Sequence, residues 1–284
     1  MKTTQKNNPL IVGFVADLMF TPRIANVAHH LNYDITWIES PADLGQPATD
    51  LPPETRGESL HGQEGHLFEQ LTAWQPALLL FDLNNNAIPW RRWIALLRSS
   101  AATRRIPILC FGSHMDVTAM SDAKNAGADA VLARSRFTAN MPELIQQYAK
   151  HPDQDAINNA CQEPLSALAR QGIEKFNARQ YYQCHDDLEE AWNQDQTSGR
   201  DLYRSILQVG IALYQIEREN YRGAVKMLLR VRQWLEPLPD VCRGVNVARL
   251  RQNTQTIHDE LLNLGEENLS NFNWDLVKPI EFNL

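Results

Sequence analysis

The 284-residue sequence holds only four cysteines, Cys110, Cys161, Cys184 and Cys242, and no pair of them has zinc-finger spacing. Thiols so few and so scattered give no disulfide framework, and the expectation is four free packing side chains without a chemical role. No apolar run approaches the roughly 20 residues that a membrane-spanning helix needs. The longest, Ala77–Phe81 and Ile108–Phe111, have the length of buried strands. Leu10–Val15 is apolar, but Asp17 closes that run below the roughly 7–15-residue core of a signal peptide. Positive charge is also short: 27 basic against 34 acidic side chains leave a net charge of −7, which argues against a general nucleic-acid coat. Neither the P-loop pattern nor G-x-G-x-x-G occurs, so a phosphate cradle of known type is missing. These absences lead us to expect a cytoplasmic protein with no membrane contact and no nucleic-acid partner.

What is present is an ordinary globular composition, 43% hydrophobic and 21% charged, in a chain long enough for two domains. From residue 10 to residue 150 short apolar runs alternate with amphipathic stretches. Leu10–Ala16, Tyr33–Ile38, Ala77–Phe81, Pro107–Phe111 and Ala130–Ala133 read as strands. Pro22–Leu31, His66–Trp74, Ile88–Leu97, Val117–Ala126 and Met141–Tyr148 read as helices, with Pro22 suited to a first turn. Continuous apolar strands between helices indicate a parallel sheet covered on both faces. Ligands of such sheets sit at the carboxyl ends of the strands. Those ends carry Asp17, Asp82, Gly112-Ser113-His114 and Arg134-Ser135.

This pattern resembles a response-regulator receiver domain. The segment PALLLFDLN, with Asp82, is similar to the third strand that ends in the phosphoacceptor aspartate, and GADAVLARS is similar to the fifth strand. The resemblance implies a flavodoxin-like parallel sheet of five strands and a site made of Asp17, Asp82, Ser113 and Arg134. It departs from the family in its chemistry. Arg134 stands where the family has lysine, Asp17 is a single acid where two adjacent acids hold Mg²⁺, and Ser113 matches the fourth-strand hydroxyl only with a shift of one. Phosphoryl transfer to a carboxylate needs a divalent cation held by several oxygens. The expectation is therefore a pseudo-receiver in which Arg134 holds Asp17 and Asp82 without turnover. Asp116 and Ser113 are read as helix-capping residues beside His114.

Residues 40–65, with four prolines and four glycines, are read as a long mobile insertion. From about residue 155 strand signals vanish. Leu165–Phe176, Tyr181–Trp192, Leu202–Ile216, Tyr221–Leu235 and Val247–Leu262 all carry helical periodicity. Residues 1–150 hold 13 basic and 14 acidic side chains, leaving 14 and 20 for residues 151–284, so the helical part carries most of the net charge. The expected division is 1–150 for the α/β domain and 151–284 for an α-helical bundle.

The most informative helical segment runs from Phe176 to Trp192. Counted as one helix, Tyr181, His185, Leu188, Glu189 and Trp192 share a face, which points His185 and Glu189 inward. A buried imidazole or carboxylate needs a partner, and each other, Gln208, Tyr214, a water or a metal are the candidates. The segment resembles a family known only as a domain of unknown function, family three hundred and nine. Phe176, Asn177, His185, Glu189, Trp192, Gln208, Ala212, Asn220, Gly223 and Ala224 match its pattern. Asp186 replaces a glutamate, Gln215 a histidine and Glu219 a glycine. The resemblance implies an all-α bundle and supplies no reaction.

Three readings stay open for this cluster of His185, Asp186, Glu189, Trp192, Gln208 and Tyr214. It is a buried polar network that locks helix packing, or a binding surface, or the centre of a hydrolase-like or metal-dependent enzyme. Two ligands at i, i+4 could hold a divalent metal, but no third is evident. Arg222, Lys226 and Arg230 form a basic ridge, expected to pair with Asp186, Asp187 and Glu190. The whole reads as a regulatory module with protein partners or self-association.

Overall fold

A computed structural model of the chain describes residues 8–45 and 60–283, and these fall into two compact units, Met1–His151 and Pro152–Leu284. In the first, β1 (Leu10–Phe14), α1 (Thr21–His30), β2 (Asp34–Trp37), α2 (Gly62–Trp74), β3 (Leu78–Asp82), α3 (Trp90–Ser99), β4 (Ile108–Gly112), α4 (Val117–Ala126), β5 (Ala130–Ala133), α5 (Arg134–Ala139) and α6 (Met141–Tyr148) follow one another. The strands pair in parallel in the order β2-β1-β3-β4-β5, the flavodoxin-like arrangement. Alternating strand residues feed two cores. Val12, Phe14, Leu79 and Phe81 pack against the apolar sides of α2, α3 and α4, with Phe14 and Phe81 stacked at 4.1 Å. Ile11, Leu78, Leu80, Leu109 and Phe111 pack against α1, α5 and α6, with Phe111 and Phe137 stacked at 4.4 Å. Burial on both faces is why these strands read as continuous apolar runs rather than alternating ones. Of the expected insertion, Pro41–Leu44 forms a short 3₁₀ turn and α2 begins at Gly62, while residues 46–59 lie outside the described residues.

The second unit consists of α7 (Gln154–Ala160), α8 (Ala167–Asn177), α9 (Cys184–Gln194), α10 (Asp201–Glu217) and α11 (Tyr221–Leu235), then a two-stranded hairpin of β6 (Val241–Cys242) and β7 (Val245–Asn246), and α12 (Val247–Leu264). Caps start several helices: Ser166 accepts from the Ala169 amide, Asn220 from Gly223 and Asn246 from Arg249. Helix α9 packs between α8 and α10, and α10 against α11. Two glycines permit this approach. A Cβ on Gly172 would lie 2.6 Å from Leu188 Cγ, and one on Gly210 would lie 2.8 Å from Cys184 Sγ.

One expectation is corrected here. Cys161 and Cys242 form a disulfide across 81 residues, and only Cys110 and Cys184 are free, both buried. Spacing rules detect local frameworks and are blind to a pair joined by tertiary structure. Cys161 sits at the carboxyl end of α7, and the Arg243 amide donates to its carbonyl at 2.8 Å, which brings the hairpin alongside. The Arg243 guanidinium, 4% exposed, ties the same corner together through Tyr203 Oη at 2.6 Å, Thr197 Oγ1 at 2.9 Å and Asp195 at 2.8 Å.

Candidate functional site

The carboxyl ends of β1, β3, β4 and β5 open into a cleft of about 650 Å³, lined by Ala16, Asp17, Asp82, Gly112, Ser113, His114, Arg134 and Ser135, together with Asn84, Asn85 and Asn86. All four residues read from the receiver-like pattern, Asp17, Asp82, Ser113 and Arg134, line it. Parallel strands make this convergence unavoidable, because every strand ends on the same edge.

Arg134 is the centre of the cleft. One guanidinium nitrogen donates to Asp17 at 2.7 Å and another to Asp82 at 2.5 Å. The Phe20 and Phe111 rings stand 5.1 and 5.8 Å from the guanidinium carbon, so apolar faces and carboxylates fix the same group. Burial works against the charge of Arg134, yet Asp82 and Asp17 together hold its pKa above the ordinary value. The two acids respond differently to the same cation. Asp82 is 3% exposed, and burial raises its pKa despite the Asn84 amide and Arg134. Asp17 is open to solvent on one side, and the hydrogen bond from Arg134, aided by the Met19 amide, holds its carboxyl below the usual range.

Around these charges the turns are stitched by side chains. The Ser113 amide donates to Asn84 Oδ1 at 3.1 Å, and Ser113 Oγ accepts from the Met115 amide at 3.2 Å. Asp116 caps α4 by accepting from the Ala119 amide. The loops after β1 and β4, with the first residue of α4, also expose four large apolar side chains, Leu18 at 76%, Met19 at 84%, Met115 at 78% and Val117 at 71%. The sequence reading passed over them, although two apolar residues directly after Asp17 and a Met-Asp-Val turn after Ser113 were visible signals.

In the helical unit the inward placement of His185 and Glu189 is corrected. Tyr181 to Gln183 form a turn, and α9 starts only at Cys184. The buried stripe is therefore Cys184, Leu188 and Ala191, and His185 and Glu189 each follow a stripe residue by one position, about 100° round the helix. His185 is 33% and Glu189 52% exposed, and His185 Nδ1 lies 3.8 Å from Glu189 and 3.6 Å from Asp186, beyond hydrogen-bonding distance. Neither of the other expected partners answers them: Tyr214 lies against Tyr182, and Gln208 Oε1 is buried without a hydrogen-bond partner. Among the described residues no group of three or more His, Cys, Asp or Glu side chains is arranged to hold a metal ion. Of the three acids expected to face the basic ridge, two pair elsewhere, Asp187 with Lys175 at 2.6 Å and Glu190 with Gln194 at 2.7 Å, and Asp186 is exposed beside His185. Trp192 instead meets Arg200 and Arg204, a contact that the sequence reading did not contain.

The strand order and the cleft at its carboxyl edge define a flavodoxin-like α/β unit followed by a helical unit. Comparison with solved structures finds these likenesses. A phosphorylated cyanobacterial phytochrome response regulator, RcpA, covers 50% of this chain and 94% of its own at 10% identity and a TM-score of 0.36. A putative response regulator from Chloroflexus aurantiacus J-10-fl covers 50% and 98% at 16% identity and a TM-score of 0.38. Residues 169–227 match the family model described as Domain of unknown function (DUF309), so α8 to the first turns of α11 resemble that family. The uncharacterized protein YpuF of Bacillus subtilis (strain 168) is 28% identical over 94 residues. The match takes in 31% of this chain and about half, 53%, of that relative. No helix among the described residues is long and apolar enough to cross a membrane.

Proposed function

We propose that this chain is a non-catalytic regulatory or protein-interaction module whose α/β unit is a pseudo-receiver, not switched by phosphate. The observation that carries this reading is the Arg134 clamp, with one fork on Asp17 and Asp82 together. Carboxylate phosphorylation needs a divalent cation held by several oxygens to gather the developing charge. Here a guanidinium built into the chain takes the two carboxylates that such a cation would use, and a fixed planar fork has neither the open coordination of Mg²⁺ nor the compactness of a lysine ammonium. The pocket becomes a locked charge cluster that holds the surrounding loops in one arrangement. Those loops and the start of α4 carry Leu18, Met19, Met115 and Val117, an apolar rim of the kind that marks a protein contact. Nothing in the half-exposed, separated placement of His185 and Glu189 favours the enzyme reading over this one.

The test is incubation of the full chain with Mg²⁺ and a small phosphodonor, followed by peptide mass spectrometry. Asp82 stays unmodified on this reading, and a stable aspartyl phosphate there refutes it.

A further inference from the structure

Three arginines and two tryptophans of the helical unit form a ladder that the proposed function does not use. The Arg204 guanidinium is shared by two indoles, 4.8 Å from the Trp192 ring centre and 4.1 Å from that of Trp234. Arg200 meets Trp192 at 5.1 Å, and Arg230 meets Trp234 at 5.4 Å. The strip is assembled from three helices: Trp192 on α9, Arg204 on α10, Arg230 and Trp234 on α11, with Arg200 in the 3₁₀ turn before α10. Indole faces hold guanidinium groups in place but do not neutralise them.

Neutralisation is the missing element. Elsewhere in this acidic unit basic side chains have found carboxylates: Lys175 holds Asp187, Arg243 holds Asp195 and Arg251 holds Asp240. Among the described residues no carboxylate lies within ion-pair distance of Arg204 or Arg230, and the buried Nε of Arg230 has no hydrogen-bond acceptor. Among the described residues the one hydrogen bond from the Arg200 guanidinium goes to the Asp195 backbone carbonyl, at 3.4 Å. Burial and the neighbouring charge of Arg230 hold the Arg204 pKa below the ordinary guanidinium value. Asp201 works against them and Arg200 with them. All three arginines are half-buried, with surface left for a ligand.

We propose that Arg200, Arg204 and Arg230 form an oxyanion site that takes a phosphate group, free or as a monoester. Guanidinium forks match oxyanions geometrically, and stacking has already restricted these. A carboxylate brings two oxygens and one charge. A phosphate monoester brings three acceptor oxygens and nearly two charges at neutral pH, enough for three forks. The net charge of −7 repels anions from much of the remaining surface, which concentrates the attraction at this strip.

The experiment is calorimetric titration of the full chain at low ionic strength with inorganic phosphate, phenyl phosphate and, in parallel, acetate. Saturable binding of at least one phosphate probe is expected, with acetate giving none. The phosphate probe that binds more tightly tells whether the natural ligand is a free phosphate or a monoester. Arg204→Gln and Arg230→Gln should each weaken binding at least tenfold, and Arg218→Gln, outside the ladder, should leave it unchanged. Circular dichroism shows which variants keep the fold, and Arg230→Gln carries the test where Arg204→Gln does not. Binding should weaken severalfold between pH 7.5 and 5.5, as phosphate loses its second charge and the arginines keep theirs. No saturable binding of either phosphate, binding equal in Arg230→Gln, or acetate binding as tight as phosphate overturns the proposal.

Discussion

Replacing Arg134 by glutamine removes the cation from a carboxylate that is only 3% exposed, and the structure sets the size of the result. Stripping one partner from a buried ion pair leaves an uncompensated charge and costs about 3 kcal/mol. The Asp17 arm adds no more than about 1 kcal/mol, because both of its groups are a third exposed and screened by water. In urea, where m is roughly 1–3 kcal/mol/M for a domain of this size, the midpoint should fall by about 1–4 M. The deficit depends on pH in a direction that the two acids fix jointly. Burial already raises the Asp82 pKa, so the folded chain binds that proton more tightly than the unfolded chain, and stability falls as pH rises through the folded value. Without Arg134 that value rises further. Asp17 is lowered by Arg134, and its contribution is present above the usual carboxylate range and lost as pH falls. Both effects make the variant's deficit largest near pH 7 and smaller near pH 4. The double variant Arg134→Gln/Asp82→Asn, which removes the buried charge as well, should regain at least half of the loss. A deficit below about 1 kcal/mol, or a double variant no better than the single one, refutes the argument that Asp82 is a buried anion held by Arg134.

Three further outcomes follow from the packing. Opening the Cys161–Cys242 link, by Cys242→Ser or by reduction, releases a loop of 81 residues, worth up to about 4.5 kcal/mol of unfolded-chain entropy; the thermal midpoint should drop and denatured unreduced protein should titrate two thiols rather than four. Leu188→Ala, in the buried stripe of α9, should cost about 2–5 kcal/mol, whereas His185→Ala should stay within about 0.5 kcal/mol; equal costs in urea unfolding would return His185 to the core. Burial pushes the Cys184 thiol up to about 12 and raises that of Cys110 as well, so neither should react with iodoacetamide at pH 8 in the folded chain, and rapid labelling of either contradicts its placement.

Much of the architecture was legible because a few residues speak unambiguously. The run Leu78–Phe81, apolar throughout, can only be a doubly covered strand, and Val117–Ala126 and Ala130–Ala133 coincide with their elements residue for residue. The convergence of Asp17, Asp82 and Arg134 was also legible, since parallel strands deliver all their carboxyl ends to one edge. The phase of α9 was not. Three residues of turn, Tyr181 to Gln183, have helical composition, and counting them as helix rotates His185 and Glu189 from the flank into the core. The disulfide and the Arg–Trp ladder were invisible for a related reason. Each joins residues from separate elements, and no local periodicity records which helix faces meet.

The central claim is that Arg134 stands in the place of the divalent cation, and a crystal structure of the full chain grown with millimolar Mg²⁺ near pH 7 tests it most directly. The account predicts the guanidinium between Asp17 and Asp82, with no ion bound to either carboxylate. An octahedral Mg²⁺ on Asp82, with oxygens at about 2.0–2.1 Å and Arg134 swung aside, would contradict it.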